Sequence, residues 1–150
     1  EADIDRGLES FTGLPHRMQR VATKHGVAYV DDSKATNPES TAPALAAFER
    51  VHWIVGGQAK ADDLDACAPH FGRVARAYTI GEAGPMFARF LAPHMAVEES
   101  GTLDMAVASA KAHAVAGETV LLSPACASFD QFRDYEDRGD QFHALVEALA

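Results

Sequence analysis

The chain is poor in the residue classes that covalent and metal-built scaffolds require. Cysteine occurs only at Cys67 and Cys126, without CxxC spacing. That argues against a disulfide framework or a structural zinc site and leaves two buried or half-buried thiols in a reducing compartment. The histidines His16, His25, His52, His70, His94, His113 and His143 are scattered, with no HExxH or HxH spacing. Surface or packing roles are expected for them, and no metal site is expected from this chain by itself. A GxGxxG fingerprint is missing after the first strand-like run, which disfavours a Rossmann-type oxidoreductase, and the GxxxxGK[ST] spacing of a Walker A loop is missing too. No uninterrupted apolar stretch approaches the ~20 residues of a membrane span. No charged-then-apolar leader pattern opens the sequence, so a soluble cytoplasmic protein is the expectation. Basic charge is scarce: 13 Lys and Arg stand against 22 Asp and Glu, a net charge of −9. Such a balance argues against general binding to a nucleic-acid backbone, which needs a basic surface. It leaves room for a small anion gripped by a local cluster.

What is present suits one globular domain. The 150 residues can enclose a real core, and the 47% hydrophobic content is that of a folded protein. Strand-like and helix-like runs alternate. Residues 3–11 read as a short helix, broken by Gly13-Leu14-Pro15. Met18 to Thr23 and Val27 to Val30 read as strands around a Lys24-His25-Gly26 turn. Thr41 to Phe48 reads as helix, capped by Asn37 with Pro38 at the first helical position. Val51 to Val55 is a β-branched strand that ends in Gly56-Gly57. Further along come a short helix over Asp63 to His70, a strand over Ala77 to Ile80 and a helix over Pro85 to Leu91. A short strand over Met95 to Val97 and a helix over Leu103 to Ala114 follow. Thr119 to Leu122 is apolar without alternation, the mark of a central strand covered on both faces. Helices are expected to begin at Phe129 to Tyr135 and to run over Phe142 to Leu149. The pattern predicts an α/β fold: a mostly parallel sheet of about six strands flanked by helices on both faces.

Polar residues gather just after the predicted strands, where open α/β sheets bind ligands. The densest group is Asp31-Asp32-Ser33-Lys34-Ala35-Thr36-Asn37-Pro38. Lys34 offers a compact charge for a phosphate, Asp32 can accept bonds from ribose hydroxyls, and Thr36 lies at a helix N-terminus that favours anions. In Gly13-Leu14-Pro15-His16-Arg17, Arg17 can grip a phosphate or carboxylate in a bidentate way. In Gly56-Gly57-Gln58-Ala59-Lys60, two glycines permit close backbone approach and Lys60 adds a charge. In Ser123-Pro124-Ala125-Cys126-Ala127-Ser128-Phe129-Asp130, small residues leave space and Ser128 can donate to an anion or cap a helix. Cys126 as a nucleophile lacks an evident histidine partner.

These motifs together resemble the carboxy-terminal domain of the Mur ligase family, from about Phe11 onward. DSKATN and SPACAS are similar to the branch of the family that adds D-glutamate. The resemblance implies a Rossmann-like domain and an ATP-dependent ligase. In that reaction ATP phosphorylates the terminal carboxylate of UDP-N-acetylmuramoyl-L-alanine, D-glutamate attacks the acyl phosphate, and phosphate leaves. By motif position, Arg17, Asp32 and Lys34 are implied to contact the nucleotide. Thr36, Lys60, Ser128 and Tyr135 are implied to hold D-glutamate, and Lys34 and Lys60 are implied to be catalytic. The family also implies an N-terminal UDP-binding domain and a central ATPase domain that supplies the P-loop and most ligands of Mg2+. Residues 1–10 then read as the connection from that central domain, and 1–150 as a single carboxy-terminal domain. Such a domain is expected to fold alone but not to ligate. The competing expectation is a stand-alone amino-acid- or nucleotide-binding module without chemistry.

Overall fold

The computed structural model describes residues 15–60 and 62–149. The expected helix over 3–11, the connection over 1–10 and the start of the first motif, Gly13-Leu14, lie outside the described residues.

The strands are β1 (Gln19–Lys24), β2 (Val27–Asp31), β3 (Val51–Gly56), β4 (Val74–Ile80), β5 (Val97–Gly101) and β6 (Thr119–Leu122). The helices are α1 (Pro38–Ala46), α2 (Gly84–Leu91), α3 (Leu103–His113) and α4 (Tyr135–Glu147), with a 3-10 helix over Asp65–Arg73. The strands form one sheet of six in the order β1-β2-β6-β3-β4-β5. β1 and β2 are antiparallel, and every other pairing is parallel. The β1–β2 hairpin turns on His25 at φ 54° and Gly26 at φ 80°, the two left-handed positions of a tight hairpin turn whose twist matches its strands.

Alternate residues of the central strands feed two cores. Val51, Trp53, Val55 and Leu121 pack with α1, the 3-10 helix and α2 on one face. Ile54, Val120 and Leu122 pack with α3 and α4 on the other. The sheet is therefore covered on both sides, as the unbroken apolar run of β6 predicts.

Three elements differ from expectation. The helix expected at Phe129 to Tyr135 is absent, and a single helix starts at Tyr135, because the Asp134 side chain caps it by accepting from the Asp137 N–H at 2.7 Å. Gly139 sits inside that helix at the usual propensity cost. Its missing side chain is required, since a Cβ there would lie 2.1 Å from His16 Nδ1. β5 spans Val97–Gly101 rather than Met95 to Val97. It is an edge strand that carries Glu98, Glu99 and Ser100, so it shows no apolar signature. The segment expected as a short helix over Asp63 to His70 is a 3-10 helix ending at Arg73.

Phe142 is fully buried on α4 in the second core. Phe142→Ala should lower the stability of the domain by about 3–5 kcal/mol, read as a shifted urea midpoint. A loss below about 1 kcal/mol would mean that α4 is not packed on the sheet in this way.

Candidate functional site

Because β6 lies between β2 and β3, the loops that leave the carboxyl ends of β2, β6 and β3 are neighbours. Backbone bonds join them. The Ala125 N–H donates to the Ala35 carbonyl at 3.1 Å, Gln58 and Ala127 exchange bonds at 2.9 and 3.0 Å, and the Gly56 N–H donates to the Pro124 carbonyl at 3.0 Å. The segment before β1 joins them, with the Lys34 N–H donating to the His16 carbonyl at 2.9 Å. Left-handed non-glycine residues gather in these loops: His16 at φ 65°, Met18 at φ 50° and Ala125 at φ 61°. Such conformations persist only where the surroundings enforce them, and they concentrate at functional sites.

The loops border a cleft of about 480 Å³ lined by Arg17, Met18, Asp32, Lys34 and Glu39 among others. That volume is in the range of small-ligand sites. The three residues assigned to the nucleotide, Arg17, Asp32 and Lys34, thus share one cavity. Glu39 lies in its wall, so the field there is mixed rather than uniformly positive.

Asp32 is buried and already engaged. It accepts from the Met18 N–H at 3.1 Å and from the Ser123 hydroxyl at 2.7 Å. A carboxylate has about four acceptor positions, so it retains capacity for further donors. Burial pushes its pKa up to about 6, against the opposing pull of those two hydrogen bonds. Lys34 is exposed; its Nζ lies 3.3 Å from the Tyr135 hydroxyl and 4.9 Å from the ring centroid. A second cleft, of about 370 Å³, runs along Lys34, Tyr135 and His16.

Of the residues assigned to D-glutamate, Thr36, Lys60 and Ser128 lie along the joined loops and Tyr135 opens α4. Thr36 precedes α1, whose cap is Asn37 accepting from the Ser40 N–H at 2.8 Å. Ser128 is buried one residue beyond Ala127, and Lys60 is exposed two residues beyond Gln58. Neither Lys60 nor Ser128 lines the Arg17 cleft. Ser128 caps no α-helix; its carbonyl accepts from Gln131 and Phe132 in a turn. The glycine pair approaches protein backbone. A Cβ on Gly56 would lie 2.1 Å from the Ile80 carbonyl oxygen, and one on Gly57 would lie 2.6 Å from that of Ala127. Gly56 thus lets the end of β3 lie close against the end of β4, and Gly57 lets the β3 loop run against the β6 loop.

Sequence reasoning passed over Arg138. Its side chain is fully buried and donates to Ser33 Oγ at 2.8 Å, to the Ser33 carbonyl at 2.7 Å and to the Cys126 carbonyl at 3.0 Å. One guanidinium therefore ties the DSKATN loop to the SPACAS loop from beneath. The available signal was spacing: Arg138 repeats at four-residue intervals with Phe142 and Val146, which places a cation on the apolar stripe of α4. Both cysteines are free and buried, and burial pushes each thiol up to about 12. That removes Cys126 as a nucleophile.

A mostly parallel α/β sheet covered by helices on both faces, with polar loops knit at its carboxyl edge, is a domain of the doubly wound kind. Residues 16–126 match the family model described as Mur ligase, glutamate ligase domain. The chain belongs to that family. It is 63% identical over 142 residues, 95% of its length, to a UDP-N-acetylmuramoylalanine--D-glutamate ligase of Novosphingobium aromaticivorans, of which it covers 32%. The chain thus spans about a third of the length of the curated relatives it matches. Its fold is similar to that of a bifunctional folylpolyglutamate synthase/dihydrofolate synthase of Yersinia pestis, with TM-score 0.61 and 18% identity over 89% of this chain and 32% of that one. A domain from a Haemophilus ducreyi ligase superposes with TM-score 0.59 and 16% identity, over 89% of this chain and all of that one. Among the described residues no helix is long and apolar enough to cross a membrane.

The raised pKa of Asp32 carries a pH signature. Between about pH 4 and 6 the folded state binds more protons than the unfolded chain, so this group's contribution to stability falls as pH rises through that window. Asp32→Asn should remove that part of the decline and leave the protein more stable than wild type at pH 7.5. Urea unfolding of both proteins from pH 4 to 7.5 checks this, and parallel profiles would refute the assignment.

Proposed function

We propose that this domain is the carboxy-terminal third of an ATP-dependent ligase that joins D-glutamate to UDP-N-acetylmuramoyl-L-alanine in cytoplasmic peptidoglycan synthesis. The observation that carries the reading is the joining of the DSKATN, Gly56–Lys60 and SPACAS loops beside the cleft of Arg17, Asp32 and Lys34. It is supported by the 63% identity to a ligase of that name.

In this reading the γ-phosphoryl group of ATP moves to the alanyl carboxylate, giving an acyl phosphate and ADP. The free amine of D-glutamate then attacks the acyl carbon. The tetrahedral intermediate collapses to the amide, phosphate departs with the bonding pair, and the amine proton is released. Arg17 and Lys34 hold the phosphate side of the nucleotide, and Asp32 accepts from its ribose. Thr36, Lys60 and Ser128 hold the D-glutamate carboxylates so that the amine faces the acyl carbon, with Tyr135 alongside. Positioning and charge stabilisation supply the acceleration. Lys34 and Lys60 are the groups whose charge assists the reacting centre.

The reading assigns ATP and Mg2+ mainly to the central ATPase domain, where the ion would neutralise phosphate charge. The residues here do not fit that ion. The cleft walls set two cations, Arg17 and Lys34, against the carboxylates of Glu39 and of Asp32, the latter already accepting two hydrogen bonds, and among the described residues the one group of three or more potential metal donors is built around two imidazoles, an unsuitable set for magnesium.

In the full-length gene product, Lys60→Ala and Thr36→Ala should raise KM for D-glutamate by about 10- to 100-fold with KM for ATP nearly unchanged. Lys34→Ala should lower kcat by about 100-fold, the scale of losing one charge-stabilising donor. The 150-residue domain with ATP, UDP-N-acetylmuramoyl-L-alanine and D-glutamate should release no phosphate above background. Wild-type kinetics in all three variants would sink the site assignment, and turnover by the domain alone would sink its dependence on other domains.

A further inference from the structure

Outside the cleft, His16, Asp31 and His143 converge from three places in the chain. His16 precedes β1, Asp31 ends β2, and His143 lies on α4. His16 Nδ1 is 2.6 Å and His143 Nε2 is 2.9 Å from the same oxygen, Asp31 Oδ2. The donor atoms all lie within 4.8 Å of one another. The imidazole planes are inclined at 75°, with centroids 5.7 Å apart, so the rings approach the carboxylate from different directions.

We propose that these three side chains form a binding site for a divalent cation of the zinc class. Two imidazoles and a carboxylate are the donor set of three-ligand zinc sites, which leave a fourth position for water. The outer contacts that orient such ligands are in place. The other Asp31 oxygen accepts from the Ser33 N–H at 2.9 Å, and His16 Nε2 lies 3.4 Å from Asp140 Oδ1. Gly139 makes the space, because a Cβ there would lie 2.1 Å from His16 Nδ1 and 2.8 Å from Asp31 Oδ2.

Access is one-sided. The Asp31 side chain is fully enclosed and that of His16 is 9% exposed, whereas His143 is 27% and Asp140 72% exposed. An ion therefore enters past His143. The present spacings are hydrogen-bond lengths, and a tetrahedron with bonds of 2.0–2.1 Å has edges of roughly 3.3 Å. The His143 contact must open by roughly 0.4 Å, which its partly exposed ring can do by retreating, and the His16 contact by roughly 0.7 Å, which requires the His16 ring to turn with the segment before β1. A bound ion would lock the segment that carries Arg17 to the end of β2 that carries Asp32. It would thereby stiffen two walls of the cleft, whatever ligand that cleft holds.

The test uses the purified 150-residue chain. Co2+ should give the intense visible d–d bands of a tetrahedral site at one equivalent. Zn2+ should compete for it and raise the melting temperature, as any ligand of the native state does, and Mg2+ should do neither. His143→Ala removes a partly exposed ligand without opening the core; it should lose the bands and the thermal shift while keeping the wild-type circular dichroism spectrum. Asp31→Asn serves as the second variant. Absence of the bands and of the zinc shift in the wild type, or their retention in folded His143→Ala, would overturn the proposal and leave a purely structural imidazole–carboxylate network.

Discussion

The fully buried guanidinium of Arg138 is the interaction on which the loop edge of this domain depends. Taking a cation out of water is costly, and burial pulls this one down to about 10. Among the described residues no carboxylate pairs with it directly. Its donors go to the carbonyls of Ser33 and Cys126 and to the Ser33 hydroxyl. Those carbonyls belong to irregular loops that lie outside the hydrogen-bond ladder of the sheet. Buried and unpaired, each would be destabilising in its own right. One planar donor set satisfies both loops at once and fixes their separation. The Ser33 hydroxyl in turn donates to the Tyr135 carbonyl at 2.7 Å, so the start of α4 is held by the loop that its own arginine supports.

The strand order makes this economy possible. β6 is last in the chain but central in the sheet, paired with β2 on one side and β3 on the other. A crossover of that kind brings loops distant in sequence to one edge. The Trp53 indole, buried in the first core, donates to the Ser123 carbonyl at 2.8 Å and anchors the β6 loop from the opposite side to Arg138. Apolar packing sets the sheet, and a few charged or amide donors then hold the polar edge in register.

The same edge concentrates conformational and electrostatic cost. His16, Met18 and Ala125 hold left-handed backbone conformations there, and Asp32 keeps a desolvated carboxylate beside Arg17 and Lys34. A domain selected for stability alone would retain none of these. Met18 and Asp32 line the cleft itself, so part of this cost falls where the surrounding fold must enforce the conformation.

Amino-acid order alone sets the alternation of strands and helices, the Lys24–Gly26 hairpin turn, the Asn37–Pro38 start of α1 and the two-sided burial of β6. Local signals control each of these: side-chain period, cap chemistry and turn residues. It also marked the motifs whose loops meet, because polar residues after apolar strands have few other uses. Long-range packing accounts for Gly139 inside a helix, since the reason is a histidine more than a hundred residues away in sequence. The same holds for the polar edge strand β5, for the service of Arg138 beneath two loops, and for the meeting of His16, Asp31 and His143 at one point. Those outcomes depend on contacts between segments far apart in the chain, and no local periodicity or spacing encodes such a contact.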